Sequence, residues 1–107
     1  MCAESKSWKH LLMNEVKYYR HMFRKRGIPA PEGQCLALRT VLLGELKQEL
    51  LKTGMTQQQA AKKLGVKQPR ISEILNLSID KFSAELLVKF LYKLGKEVKV
   101  TVETEEN

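Results

Sequence analysis

The sequence is poor in the residues that build most catalytic and metal centres. Of its 107 residues, only two are cysteine and two are histidine. Cys2 and Cys35 form no CxxC pair and stand near no histidine cluster, so the pattern favours neither a zinc site nor a disulfide in a reducing compartment. His10 and His21 have no acidic cluster beside them. We therefore predict that the chain is not an enzyme and binds no metal or cofactor.

Long apolar runs are also absent. No stretch approaches the roughly 20 apolar residues that span a bilayer, and the start, MCAESKSW, lacks the apolar segment of a secretory signal. We expect a cytoplasmic protein without a membrane span. Binding of a membrane surface by a basic N-terminal helix is an alternative. The length allows one compact domain and an arm.

The charge is of one sign where the helical patterns lie. The formal net charge is +7, and residues 34–95 carry ten Lys and Arg against five acidic residues. Residues 1–33 carry seven against three, whereas residues 96–107 carry two against four. A basic helical region is expected of a phosphate-binding surface. The alternative is that the surplus lysine only aids solubility.

Residues 1–33 read as an N-terminal arm. Apolar residues from Trp8 to Phe23 recur at helical spacing, and Gly27 follows as a stop. The stretch Gly27–Gly33, GIPAPEG, predicts a turn or linker. Trp8, Tyr19 and Phe23 give the arm an aromatic face, which we expect to contact the chain's own domain, a second subunit or another protein.

Residues 34–95 read as an all-helical domain. The predicted helices are Leu36–Lys52, Gln57–Leu64, Gln68–Asn76 and Ala84–Leu94. Thr56 and Ser83 are the expected N-caps of the second and fourth of them. In the first, the expected inward positions are Leu38, Val41, Leu42, Leu46, Leu50 and Leu51.

Residues 96–107 change to a strand pattern that ends in an acidic tail. Val98, Val100 and Val102 alternate with polar residues, as in a half-buried strand. Because this chain offers no second strand, we expect pairing with the same segment of a second subunit or with a partner protein. The alternative is a frayed tail.

The stretch Gln57–Leu75, QQQAAKKLGVKQPRISEIL, carries the functional prediction. Its apolar residues Ala60, Leu64, Val66, Ile71 and Ile74 are spaced so that two short helices share one core. Ala61 is small where the helices cross, and Gly65 stands at the turn, where a positive φ is often required. The pattern predicts a helix-turn-helix whose second helix enters the DNA major groove.

The polar positions of this motif are the candidate DNA contacts. They are Gln57, Lys67, Gln68, Pro69, Arg70, Ser72, Glu73 and Asn76. Gln68 can present its amide to an adenine edge, and Pro69 can contact a thymine methyl. Gln57, at the start of the first motif helix, can bind a phosphate. Glu73 can accept from a cytosine amino group or pair with Arg70 or a lysine instead.

Leu38 to Glu103 resembles the Xre/Cro family, and within it the single-domain antitoxins of the host-inhibition-of-growth (HigA-like) type. The carriers are LRTVLLGELKQELLKTGMTQQQAAKKLGV, QPRISEIL and IDKFSAELLVKFLYKLGKEVKVTV. The resemblance implies a lambda-repressor-like fold and an autoregulating dimer that neutralises a toxin. In phage repressors of this type, two glutamines spaced like Gln57 and Gln68 meet at the DNA. Lys67 replaces the usual Ser or Thr cap, and Asn76-Leu77-Ser78 replaces a basic stretch.

We therefore predict an all-α, five-helix protein, the N-terminal arm included, with a C-terminal strand that pairs between subunits or with a partner. Its predicted function is that of a sequence-specific repressor, a homodimer on a pseudo-palindromic double-stranded operator, and an antitoxin for a cognate toxin. The alternatives are a phage-type or housekeeping regulator without a toxin, and a module that mainly binds protein.

Overall fold

The computed structural model describes residues 15–104, which form five α-helices and one 3-10 turn. In chain order they are α1 (residues 15–25), α2 (Ala30–Thr53), α3 (Gln57–Leu64), α4 (Gln68–Leu75), the 3-10 turn (Ile79–Lys81) and α5 (Ala84–Lys93). The predicted all-helical architecture is confirmed for this part of the chain. Trp8 and His10 lie outside the described residues.

The core lies between α2, the α3–α4 pair and α5. α2 makes its most extensive contact with α5, and α3 with α4. The large side chains that are fully buried in this core are Leu43, Leu46, Leu64, Ile71, Ile74 and Leu87. Full burial of such a side chain contributes about 1.5–3 kcal/mol. Since α3 and α4 each supply members of this cluster, the motif is held by the same core as the long helices.

The start of α2 corrects the predicted linker. The helix begins at Ala30 rather than Leu36, so only residues 26–29 connect it to α1. Pro31 lies in its first turn, where a missing N–H removes no helical hydrogen bond. Gly27 has φ +85°, which closes the turn after α1. Prolines that suggested a linker therefore begin a helix instead.

Two leucines of α2 were assigned to the wrong side. Leu38 is 42% and Leu51 63% exposed, whereas Ala37 and Leu43 are fully buried. Apolar residues occur on most sides of α2, so their spacing alone does not select one inward face. The buried face is set by where α4 and α5 pack.

The predicted C-terminal strand is not present in the single chain. The structure assigns no strand to any residue from 15 to 104. Val98 is half-buried against the core, but Val100 and Val102 are 79% and 91% exposed. A strand requires hydrogen bonds from a neighbouring strand, and the described chain supplies none. Alternation alone therefore did not produce the element.

Candidate nucleic-acid interface

The start of α3 is held by a reciprocal cap. The Thr56 hydroxyl accepts a hydrogen bond from the Gln59 N–H at 3.1 Å, and the Thr56 N–H donates to Gln59 Oε1 at 2.9 Å. This capping box satisfies two backbone donors that the helix itself cannot pair. Gln57 follows directly and is exposed. The predicted cap at Thr56 is confirmed, and it presents Gln57 at an ordered helix start.

The turn between α3 and α4 depends on Gly65. Its φ is +72°, and its N–H donates to the carbonyls of Ala61 and Lys62. From α5, the Lys93 ammonium donates to the Leu64 carbonyl at 2.9 Å. A cation at the C-terminal end of a helix also interacts favourably with the helix dipole. Sequence reasoning missed Lys93, because nothing in the local pattern links residues this far apart.

Gln57 and Gln68 meet at the surface. Gln68 Nε2 donates to Gln57 Oε1 at 3.4 Å, and both residues are exposed. Their two helices begin on the same side of the motif, which brings together side chains eleven positions apart. The second lone pair of the Gln57 oxygen and the remaining groups of the Gln68 amide are available to a base edge or a phosphate.

The first turns of these two helices favour an anion. Neither α3 nor α4 has an acidic residue in its first turn. Lys67 is the N-cap residue of α4, its side chain makes no cap hydrogen bond, and it is exposed. Pro69 is exposed beside it. Two adjoining helix starts without acidic side chains, one of them with an exposed lysine, are features that favour phosphate oxygens.

Arg70 is engaged within the protein. Its guanidinium pairs with Glu73 Oε1 at 3.2 Å and lies 4.3 Å above the ring centre of Phe82. Only about a third of each of the Arg70 and Glu73 side chains is exposed. Of the two interpretations of Glu73, the structure shows the pair with Arg70. The role of Phe82 was not foreseen, although an arginine over an aromatic face is a common stabilising arrangement.

The end of α4 carries the last candidate contacts. Ser72 is half-buried and Asn76 exposed. After them Leu77 has φ +55°, a left-handed conformation that branched side chains seldom adopt. Its N–H donates to the Ile74 carbonyl at 3.0 Å, and the Ser78 N–H to the Glu73 carbonyl at 3.0 Å. The helix is thereby closed directly after Asn76, which stays at the surface.

The proposed partner-binding residues are dispersed. Tyr19 and Phe23 are half-buried, with ring centres 6.4 Å apart, and the Phe23 Cβ lies 3.6 Å from where a Gly33 side chain would begin. The exposed aromatic on α1 is instead Tyr18. The Phe23 side of α1 therefore lies against Gly33 near the start of α2.

Within the part of the chain that the structure describes, the cysteine and histidine side chains form no cluster. Cys35 and His21 are exposed, and no three His, Cys, Asp or Glu residues within residues 15–104 converge as metal ligands. None of the helices described is long and apolar enough to cross a membrane.

A family model described as a helix-turn-helix domain matches residues 29–103, well over half of the chain. The match runs from Pro29, the N-cap residue of α2, to Glu103. No curated protein matches the chain.

Proposed function

Because the chain belongs to this helix-turn-helix family, we propose that it binds double-stranded DNA in a sequence-specific way and represses transcription. The observation that carries the proposal is the exposed Gln57–Gln68 pair, joined at 3.4 Å where two helices begin. A helix-turn-helix places the start of its second helix against base edges while the first helix crosses the backbone. α4 is then the recognition helix and α3 contacts phosphate.

The individual contacts follow from exposure and chemistry. Gln68 reads an adenine edge, Pro69 contacts a thymine methyl, and Lys67 and Gln57 bind phosphates. Ser72 and Asn76 contribute further along α4. In the free chain Arg70 and Glu73 form an ion pair, so their main contribution is to shape the surface of α4. A base contact by either residue would require a base to share or break this pair.

Selection from a random duplex library tests this function. The full chain should enrich sites made of two related halves about 34–36 Å apart, the spacing of one helical turn that a two-fold dimer reads. Binding to the enriched site should weaken steeply with salt as phosphate contacts compete with counterions. A library that stays random after repeated rounds, in a chain shown to be folded, would refute sequence-specific binding.

We further propose that this regulator is the antitoxin of a toxin–antitoxin pair. The support is the resemblance carried by IDKFSAELLVKFLYKLGKEVKVTV and a helix, α1, that lies outside the helix-turn-helix motif and keeps Tyr18 58% exposed. A protein bound at α1 would use side chains other than the proposed DNA contacts of α3 and α4.

Tyr18→Ala tests the antitoxin role separately from DNA binding. In cells that carry a small open reading frame from beside the gene, we expect the variant to lose neutralisation of that gene product while it retains operator binding. Lys17→Ala, an exposed neighbour on α1, is the matched control. If no neighbouring product is toxic, or Tyr18→Ala protects like the wild type, the toxin interface proposed here is wrong.

A further inference from the structure

The C-terminal segment, residues 96–104, leaves the core with its backbone unpaired. The Lys96 N–H donates to the Leu91 carbonyl at 2.9 Å, and its ammonium lies 3.4 Å from Glu49 Oε1. Beyond Lys96, no backbone hydrogen bond joins residues 97–104 to another described residue. A row of free donors and acceptors with exposed valines is a template for another strand.

We propose that this segment pairs antiparallel with the same segment of a second copy, with Thr101 opposite itself on the two-fold axis. The proposal concerns the dimer that the proposed function needs, but it is tested without DNA, so its failure leaves DNA binding untouched. Residues directly opposite each other in such a pair share one face of the ribbon. The register can therefore be derived from the side chains.

This register matches charge with opposite charge and valine with valine. Lys99 stands opposite the partner's Glu103, and symmetry repeats the pair on the other side of the axis. Val100 stands opposite the partner's Val102, again twice. Opposite charges and β-branched pairs across strands are both stabilising. The segment is thus complementary to itself, which a two-fold interface requires.

The neighbouring registers lack this match. Centring the pair on Val100 places Glu97 opposite Glu103 and leaves Lys96 and Lys99 opposite threonines, so no opposite charges pair. The Thr101-centred register also has one like-charge pair, Glu97 with Glu105, but it has two opposite-charge pairs, Lys99 with Glu103 and Lys96 with Glu106. Centring it between Val100 and Thr101 places Lys99 opposite Val102, which mixes charges with valines on one face. A parallel pair in register places each Lys99 beside the other Lys99. Among these arrangements the Thr101-centred one has the most opposite-charge pairs and keeps valine opposite valine.

The exposures agree with a ribbon that crosses the seam between two subunits. Val98 packs against the core of its own chain, whereas Val100 and Val102 are exposed. Near the two-fold axis these valines would lie over the seam, where the single chain has nothing beneath them. Val100 and Val102 would then be exposed in the single chain because the second copy that covers them is missing.

Glu103 has a competing environment within the single chain. It lines a shallow groove with Arg20, His21 and Arg24 of α1 and Gln34 of α2. If Glu103 contacted only this groove of its own chain, the charge of Lys99 would not affect dimerisation. Substitution of Lys99 therefore distinguishes a Glu103 contact within the chain from a Glu103 contact with a second copy.

The first test measures the dimer constant of the full chain by sedimentation without DNA. Lys99→Glu and Glu103→Lys should each weaken the dimer at least about tenfold, since each creates two like-charge pairs. The double swap, Lys99→Glu with Glu103→Lys, keeps the net charge at +7 and should restore dimerisation. Lys25→Glu, an exposed change of the same sign on α1, should leave the constant unchanged. A monomeric wild type, or a double swap no better than the singles, overturns the proposal.

The second test determines the register by cross-linking in a Cys2→Ser, Cys35→Ser background. Thr101→Cys places a thiol opposite its own copy, where Cα atoms about 4.5–5.5 Å apart suit a disulfide. Val100→Cys and Val102→Cys place their own copies about 7–8 Å apart, beyond that reach. We expect disulfide dimers at least about tenfold faster from position 101. Faster cross-linking from 100 or 102, or equal rates at all three, overturns this register.

Discussion

The motif helices and the C-terminal segment satisfy their backbone groups in opposite ways. α3 and α4 close their hydrogen bonds within a few residues, and the Thr56 cap, Gly65 and Lys93 pair the groups left at the ends of α3. The C-terminal segment has a strand-like alternation but no described partner beyond Lys96. The first region presents its surface from one chain alone, whereas the second, in our proposal, forms a strand only with a second copy of the chain.

This difference explains why one pattern produced its element and the other did not. A helix is formed by bonds four residues apart, so local sequence decides much of it. A strand requires a neighbour that the sequence of one chain need not contain. Substitutions in the motif, in α2 and in the C-terminal segment test this difference, and the largest effect is expected in the core.

Truncation of one side chain in each region should give the widest contrast. Leu64→Ala removes a fully buried side chain and should lower the free energy of unfolding by about 2–5 kcal/mol. Val102→Ala changes a side chain that is 91% exposed. At concentrations where the chain is monomeric, it should alter the free energy of unfolding by less than about 0.5 kcal/mol. Urea unfolding of both variants measures the difference. Similar losses in both would mean that the C-terminal segment packs within its own chain.

Arg70→Ala should destabilise the motif rather than only weaken DNA binding. It removes the ion pair to Glu73 and the contact over Phe82, which together contribute roughly 1–2 kcal/mol. Lys67→Ala, at an exposed side chain without a cap bond, should leave the melting temperature unchanged and reduce the salt dependence of DNA binding by about one phosphate contact. An Arg70→Ala variant as stable as the wild type would show that the cluster contributes nothing in solution.

Two glycine substitutions should change the stability of the fold in opposite directions. Gly65→Ala forces a side chain into φ +72° and should cost about 1–2 kcal/mol. Gly44→Ala lies within α2, where no atom would stand within 4 Å of the new Cβ, and should add about 0.5–1 kcal/mol of stability. Thermal melts at one pH decide both signs. A stabilising Gly65→Ala would mean that the turn does not need its left-handed residue.

The smallest expected effect on stability is that of Glu45, a residue of α2 whose carboxyl interacts with Lys96 of the C-terminal segment. Burial raises the pKa of the Glu45 carboxyl above its ordinary value, as do Glu15 and Glu49, against the opposing charges of Lys52 and Lys96. Because the folded-state pKa exceeds the unfolded one, the Glu45 contribution to stability falls as pH rises through that interval.

Glu45→Gln should therefore melt at a higher temperature than the wild type at neutral pH. The difference should vanish at roughly pH 3, below the ordinary pKa of glutamate, where the wild-type carboxyl is protonated in both states. A difference that persists unchanged at acidic pH would attribute the effect to packing instead of charge.

The residues that could be predicted from sequence are those whose partners are local. Thr56 was identified because a cap and its helix are adjacent, and Gly65 because a helix must end before the chain reverses. The contact between Gln57 and Gln68 was expected from the resemblance to phage repressors, in which two glutamines at this spacing meet. Helical spacing assigned five residues of the motif to the core: Ala60, Leu64, Val66, Ile71 and Ile74. All are buried except Val66, which is half-buried against the core.

The residues that could not be predicted depend on packing between distant elements. Arg70 stacks on Phe82 only because the 3-10 turn returns the chain to α4. Lys93 reaches the Leu64 carbonyl 29 residues earlier. The inward side of α2 is chosen by α4 and α5, so Leu38 and Leu51 were misassigned. The start of α2 was missed because its prolines suit a helix start as well as a linker.

The most direct test of the account is the loss of discrimination in Gln68→Ala. We predict that the variant binds the selected site more weakly by about 1–3 kcal/mol, the contribution of one good base contact. Its binding to random duplex of the same length and salt should stay near the wild-type value, and Gln58→Ala, an exposed neighbour on α3, should lose neither. Equal losses on selected and random DNA, or no loss on either, would contradict the assignment of α4 as the helix that reads sequence.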